Sequence, residues 1–191
     1  EPHDYDVASD ASPQQVQQIF RRTIAVGAQF GVIEVLGGAP GLHVQVATFR
    51  SDGHYSDGRH PDSVRYGTPE EDARRRDFTI NGLFFDPVQQ QVIDYVGGQA
   101  DLAGKLVRAI GDPDARIQED KLRMLRAIRF VSRLGFGLDQ ATADAITARH
   151  VEIKQVSTER ITEELKKMLT HPGRVQAVEE LCRLQLLGTL L

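Results

Sequence analysis

The hydrophobic rhythm of the chain changes near residue 112. Before that point apolar residues come in short runs separated by polar clusters; after it they recur at helical spacing. Thr23–Val26, Gly31–Leu36 and Leu42–Arg50 are short and rich in β-branched residues, which predicts strands. Ser12, Pro13 and Gln15 predict a capped helix start with proline in the first turn, the helix running to about Phe20. The glycine-rich stretch 37–41 predicts a hairpin turn. It is not a phosphate-binding loop, because no helix and no Lys-Ser/Thr follow it. Residues 51–67 are rich in Gly, Asp, Ser, His and Pro and predict a mobile loop. Residues 69–86 predict helix in two pieces, with short strands at Val92–Tyr95 and Leu106–Ile110.

From Pro113 the pattern predicts helices at 113–134, ending at Gly135, then 140–149, 158–170 and 174–190. Leu122, Leu125, Ile128 and Val131 lie on one stripe of the first of these and are expected in the core. The fold class is α+β: a mixed-sheet head over 1–112, followed by an all-α neck and the start of a body over 113–191.

Composition narrows the picture. The 191 residues are 40% hydrophobic and 26% charged, as in a soluble globular protein. Cys182 stands alone, which excludes an internal disulfide and suits a reducing cytoplasm. No apolar run approaches the ~20 residues of a membrane span. The six histidines have no zinc-ligand spacing with cysteine. A net charge of −4 argues weakly against a nucleic-acid partner. Its distribution argues the other way, because arginines cluster at 74–76 and along 123, 126, 129 and 133.

Three segments carry candidate chemistry. In DYDVAS, Asp4 and Asp6 are spaced i, i+2 and share a face if the segment is a strand. Paired carboxylates suit hard divalent cations such as Mg²⁺, and two such ions about 3.5–4 Å apart serve phosphoryl transfer. Asp10, in the turn that follows, caps or orders the loop. In RRRDFTIN, Arg75 and Arg76 suit phosphate oxygens. Asp77 and Asn81 suit ribose hydroxyls and share a face if helical. Arg74 is expected to face solvent. In EDKLRMLRAIRF, Asp120 and Arg123 are i, i+3 and are expected to be neighbours on one helix face. A carboxylate accepting from an exocyclic amino group, beside an arginine donating to a ring nitrogen, fits cytosine and adenine. Uracil and guanine reverse the pattern. Glu119 and Arg123 are i, i+4, so an intrahelical salt bridge competes for the same arginine. Both uses hold if Glu119 orients it.

RRDFTIN followed at a fitting interval by EDxxRmLRAiRF resembles the bacterial tRNA CCA-adding enzymes and poly(A) polymerases, the class II nucleotidyltransferases; the matches run in order from residue 4 to about residue 169. The resemblance implies a polymerase beta-like nucleotidyltransferase head. It implies Asp4 and Asp6 as catalytic metal ligands. It gives Arg75, Arg76, Asp77, Asn81, Asp120, Arg123, Arg126 and Arg129 as nucleotide-binding residues, with Glu119 supporting the base template. Arg50, Asp57 and Arg59 bracket a loop similar to the one thought to switch such enzymes from C to A. The implied reaction adds C and/or A to a tRNA 3′ end from CTP and ATP with Mg²⁺, two ions. Poly(A) or A-only addition, and a non-catalytic nucleotide- or RNA-binding fragment, stay open as alternatives.

Gly27-Ala28-Gln29-Phe30-Gly31 stands where polyadenylating relatives carry a Gly-Arg-Arg-Phe-like stretch, and this leans towards the tRNA branch. Gln45 stands where many relatives have glutamate. The family's Gly-Gly-x-Val-Arg-Asp segment and most of its C-terminal body are not in the sequence. The natural protein is therefore expected to extend further, and this chain alone to be a weak catalyst.

Overall fold

The computed structural model describes residues 6–27, 31–37, 42–53 and 64–191. Asp4, Asp57, Arg59, residues 28–30 and most of the 37–41 turn lie outside these. The described residues form two compact units, one from those up to Arg75 and one from Arg76 to Leu191. This division by packing falls inside the segment that element type assigns to the head.

The first unit is built on a four-stranded sheet in the order β1-β4-β3-β2. Its strands are β1 (Asp6–Ser9), β2 (Thr23–Gly27), β3 (Val32–Leu36) and β4 (His43–Thr48). β1 runs parallel to β4, and β3 is antiparallel to both β4 and β2. Helix α1 (Pro13–Ile19) covers one face, burying Val16 among Ile33, Val35 and Val46. It starts where the sequence places it: Ser12 accepts from the Gln15 N–H, and the Gln15 side chain accepts from the Ser12 N–H, so two helix-end donors are satisfied. Strands β5 (Arg50–Asp52) and β6 (Val64–Tyr66) pair antiparallel. Helix α2 (Pro69–Arg74) follows, with the same reciprocal cap between Thr68 and Glu71.

The second unit opens with a 3₁₀ turn at Thr79–Asn81, then a β-hairpin of β7 (Leu83–Asp86) and β8 (Gln91–Asp94). The helix expected over the rest of 69–86 stops at Arg74. Phe78 instead bridges Ala109 in an extended conformation, with Thr79 N–H donating to Arg108 O and Ile110 N–H to Asp77 O. Those tertiary bonds outweigh a weak local helix signal.

After α3 (Gly98–Ala103) and β9 (Leu106–Val107) come α4 (Pro113–Glu119), α5 (Arg123–Leu134), β10 (Gly137–Leu138), α6 (Gln140–Arg149), α7 (Thr158–Leu169), α8 (Arg174–Arg183) and α9 (Leu186–Leu190). Leu122, Leu125, Ile128 and Val131 are buried as expected, in one core with Phe78, Val107 and Met168. α5 ends at Gly135, whose φ of 65° is the left-handed conformation glycine adopts without strain.

Two expected helices are broken. The 113–134 segment parts at Asp120, which is extended (φ −149°, ψ 106°). The 174–190 segment parts at Gln185, which has φ 61°. No helix among the described residues is long and apolar enough to cross a membrane.

Candidate functional site

In the first unit, Asp6 stands at the exposed start of β1. Its register partner is Gln45 on β4, whose partner in turn is Glu34 on β3. Residues paired across strands share a face, so Asp6, Gln45 and Glu34 form one row. The opposite face carries the core residues Ile33, Val35 and Val46. Glu34 is also bonded to His43 Nδ1 at 2.7 Å. Asp6 is a hard-oxygen donor of the kind Mg²⁺ takes, whereas the Gln45 amide beside it brings no negative charge. Among the described residues no three His, Cys, Asp or Glu form a metal-holding group, and Asp4 is not among those residues.

The arginine run at 74–76 divides its members. Arg74 is exposed and pairs with Glu70 at 2.7 Å, as expected for a solvent-facing residue. Arg75 donates through Nε and Nη2 to Asp72 Oδ1, at 3.0 and 2.7 Å. Asp72 is 2% exposed. The same oxygen accepts the backbone N–H of Arg50 at 3.3 Å. Arg76, the first residue of the second unit, donates to Asn81 O at 2.8 Å and lies 4.6 Å over the Phe84 ring.

Asp77 and Asn81 meet although no α-helix joins them. Asp77 Oδ1 accepts from Asn81 Nδ2 and from the Phe78 N–H, each at 2.9 Å. Its Oδ2 accepts from Arg126 Nε at 2.7 Å. Burial pushes this carboxyl up. The Arg126 charge, with hydrogen bonds from Asn81, Arg126 and Phe78, outweighs it and holds the group below the usual carboxylate range. Asp77 is thus an ionised anchor for Arg126 and for the 77–81 segment.

Around the α4–α5 break, Glu119 takes two arginines. Arg123 Nη1 lies 2.5 Å from its Oε2, and Arg116 Nη2 lies 2.5 Å from its Oε1. Arg123 also donates to Arg116 O at 2.8 Å. The i, i+4 salt bridge anticipated from spacing is therefore formed. The expectation that Asp120 and Arg123 share one helix face is corrected: Asp120 lies outside α5, because its Oδ1 accepts the Leu122 N–H at 3.0 Å and turns the chain there. Asp120 Oδ2 accepts from Arg160 of α7 at 2.7 Å. Arg129 donates to the buried Glu164 at 2.6 Å and lies 4.4 Å over the Phe130 ring. Sequence reasoning missed Asp72, Arg116, Arg160 and Glu164. The one available signal was a glutamate, Glu164, on the apolar stripe Ile161–Leu165–Met168.

Comparison with known proteins shows the family. Residues 1–108 match the family described as the poly A polymerase head domain, and residues 135–191 match the one described as a probable RNA and SrmB-binding site of polymerase A. The chain belongs to the poly A polymerase head domain family. It is 42% identical over 178 residues to a CCA-adding enzyme of Lactobacillus helveticus, covering 93% of this chain and 44% of that protein. It is also 42% identical over 184 residues to the CCA-adding enzyme of Bacillus subtilis, covering 96% and 46%. The crystal structure of the Bacillus stearothermophilus CCA-adding enzyme in complex with CTP superposes with a TM-score of 0.86 at 36% identity, over 97% of this chain and 44% of that one. The chain spans a little under half the length of these relatives.

Proposed function

We propose that this chain is the head (1–112) and the helical neck with the start of the body (113–191) of a cytoplasmic nucleotidyltransferase that adds C and/or A to a tRNA 3′ end, taking CTP and ATP. The observation that carries the reading is the Arg123 guanidinium, clamped by Glu119 and by the Arg116 carbonyl. A side chain that selects a base by hydrogen bonding must be held still, because a displaced donor accepts the wrong edge as readily as the right one.

The 3′-hydroxyl of the RNA attacks the α-phosphorus and pyrophosphate leaves. Asp4 and Asp6 would hold Mg²⁺, two ions, which when bound lowers the pKa of the hydroxyl and neutralises developing charge. Arg75, Arg76, Arg126 and Arg129 carry positive charge for the triphosphate, and Asn81 serves the ribose, with Asp77 supporting both Asn81 and Arg126. Arg123 donates to the ring nitrogen of cytosine or adenine, and Asp120 accepts from the amino group. Uracil and guanine would leave both groups facing like partners, at roughly 1–3 kcal/mol for each buried group left unpaired. Residues 51–67, with Arg50, Asp57 and Arg59, gate the change from C to A. The CTP complex of the Bacillus stearothermophilus relative supports the nucleotide assignment.

The test is to incubate the protein with a tRNA lacking its 3′ end, Mg²⁺ and each NTP singly and together, then size the products. Additions of one to three nucleotides support the proposal. Long ladders indicate polyadenylation, and no extension by the full natural chain indicates a binding module.

A further inference from the structure

Phe130 has no role in the reaction as proposed above, yet its ring lies against two of the arginines given to the triphosphate. Arg129 Cζ stands 4.4 Å over the ring centroid and Arg126 Cζ stands 5.7 Å over it. Both fall within the ~6 Å over which a ring face attracts a cation. The ring itself is partly buried against the core of the second unit. Phe78, 2% exposed, packs on it with 5.7 Å between centroids and 72° between planes, an edge-to-face contact. Phe78 also donates its N–H to Asp77 Oδ1 at 2.9 Å, so the support of the ring and the anchor of Arg126 belong to one segment.

Each guanidinium is held from a second direction by an acid. Asp77 Oδ2 accepts Arg126 Nε at 2.7 Å and lies 2.6 Å from its Nη2. Glu164 Oε2, on α7, accepts Arg129 Nε at 2.6 Å. A carboxylate meets the planar N–H fork along its edge and so acts in the plane of the guanidinium. A ring face beneath the cation acts perpendicular to that plane. The acid sets where the fork points; the ring sets its tilt. Arg126 and Arg129 are also i, i+3 on α5, where like charges repel. One ring that attracts both draws them to a common surface.

We infer that Phe130 is a positioning residue for the phosphate grip, its ring face setting the tilt at which Arg126 and Arg129 meet the triphosphate. This rests on the reading that these two arginines hold the triphosphate. Positioning and charge account for nearly all of phosphoryl-transfer catalysis, so an arginine that keeps its charge but loses its aim still costs affinity and rate. An aromatic residue beside a core is ordinarily there to pack, and Phe130 does pack. One ring serving two cations, each already tied to a carboxylate, is what sets it apart. Arg76 offers a parallel within the same unit: it is given the same task and lies 4.6 Å over the Phe84 ring.

The test uses the full natural chain, with Phe130 replaced in turn by mono-, di- and trifluorinated phenylalanine, and separately the variant Phe130→Leu. Fluorine drains charge from the ring face while nearly keeping the ring's shape, so the series weakens the attraction for a cation without removing the packing. For each protein the dissociation constant of CTP and the inhibition constant of cytidine, which carries no phosphate, are measured. The CTP constant should rise stepwise with fluorination, to about tenfold at the trifluorinated ring, and Phe130→Leu should bind CTP at least as weakly. Cytidine should stay within about twofold of wild type. A CTP constant that is flat across the fluorinated series overturns the inference, since the ring then acts by its bulk alone. A parallel rise for cytidine also overturns it, because a loosened pocket moves both ligands. Arg126→Lys and Arg129→Lys separate the inference from the reading beneath it. If neither weakens CTP, the triphosphate reading fails and the inference falls with it. If they weaken CTP while the fluorinated series stays flat, the inference alone falls. Should Phe130→Leu fail to fold, the fluorinated series decides by itself, because it keeps the ring.

Discussion

The acids of the sheet face and the acids among the helices are put to opposite uses. Asp6 stands exposed on β1, in a row with Gln45 and Glu34. Asp77 and Glu164 are 7% and 3% exposed, and each accepts an arginine. As proposed, Asp6 keeps its lone pairs for a ligand from outside, although Glu34 in the same row is already bonded to His43. An acid of the second kind spends them on fixing a cation of the protein. On the proposed reading Asp6 is cheap for the fold and decisive for chemistry, while Asp77 and Glu164 matter first to the fold, because a partly buried arginine whose partner is removed becomes an uncompensated charge.

The comparison is broken most severely at Asp77. Asp77→Ala leaves Arg126 and Asn81 without their acceptor, and urea unfolding should show a loss of about 3 kcal/mol. A loss under about 1 kcal/mol would mean that the second unit does not depend on this anchor. The pH dependence sharpens the same point. The folded carboxyl lies below its ordinary value, so its stabilisation is present above the unfolded pKa of about 3.9 and is lost as pH falls through the lower folded value. The stability gap between wild type and Asp77→Asn should therefore be flat at neutral pH and shrink below about pH 4.

A smaller effect, and one on selectivity, is expected at Asp120. Asp120→Ala should raise misincorporation of UTP and GTP about tenfold, from the loss of one hydrogen bond to the base. Discrimination held at the wild-type level would reduce Asp120 to the partner of Arg160. The smallest change is at a cap: Thr68→Ala should cost about 1 kcal/mol in thermal or urea unfolding. No measurable cost there would show that α2 is held by its packing and not by its first turn.

Much of this was legible in the chain itself. Ser12-Pro13 marked a helix start, Gly135 marked a helix end, and the spacing of Leu122, Leu125, Ile128 and Val131 marked the core. Motif order located the arginines and the Glu119–Arg123 pair, which is local. What was hidden depends on distant partners. Asp77 and Arg126 are 49 residues apart, Asp120 and Arg160 are 40 apart, and Arg129 and Glu164 are 35 apart. No periodicity encodes such pairs. The same holds for the bridge between Phe78 and Ala109, which turned an expected helix into an extended segment. The break at Asp120 was within reach of sequence reasoning, since aspartate readily accepts a backbone N–H two residues on. The strong apolar stripe beyond it masked that signal.

The division of labour between the two kinds of acid is tested most directly by placing Asp6→Ala and Asp77→Ala on the same two axes, single-turnover nucleotide addition and free energy of unfolding, in the full natural chain. Asp6→Ala should lose addition by about a thousandfold or more, with its unfolding free energy within about 0.5 kcal/mol of wild type. Asp77→Ala should lose about 3 kcal/mol of stability. Near-normal addition by Asp6→Ala, or a stability loss as large as that of Asp77→Ala, would contradict the account.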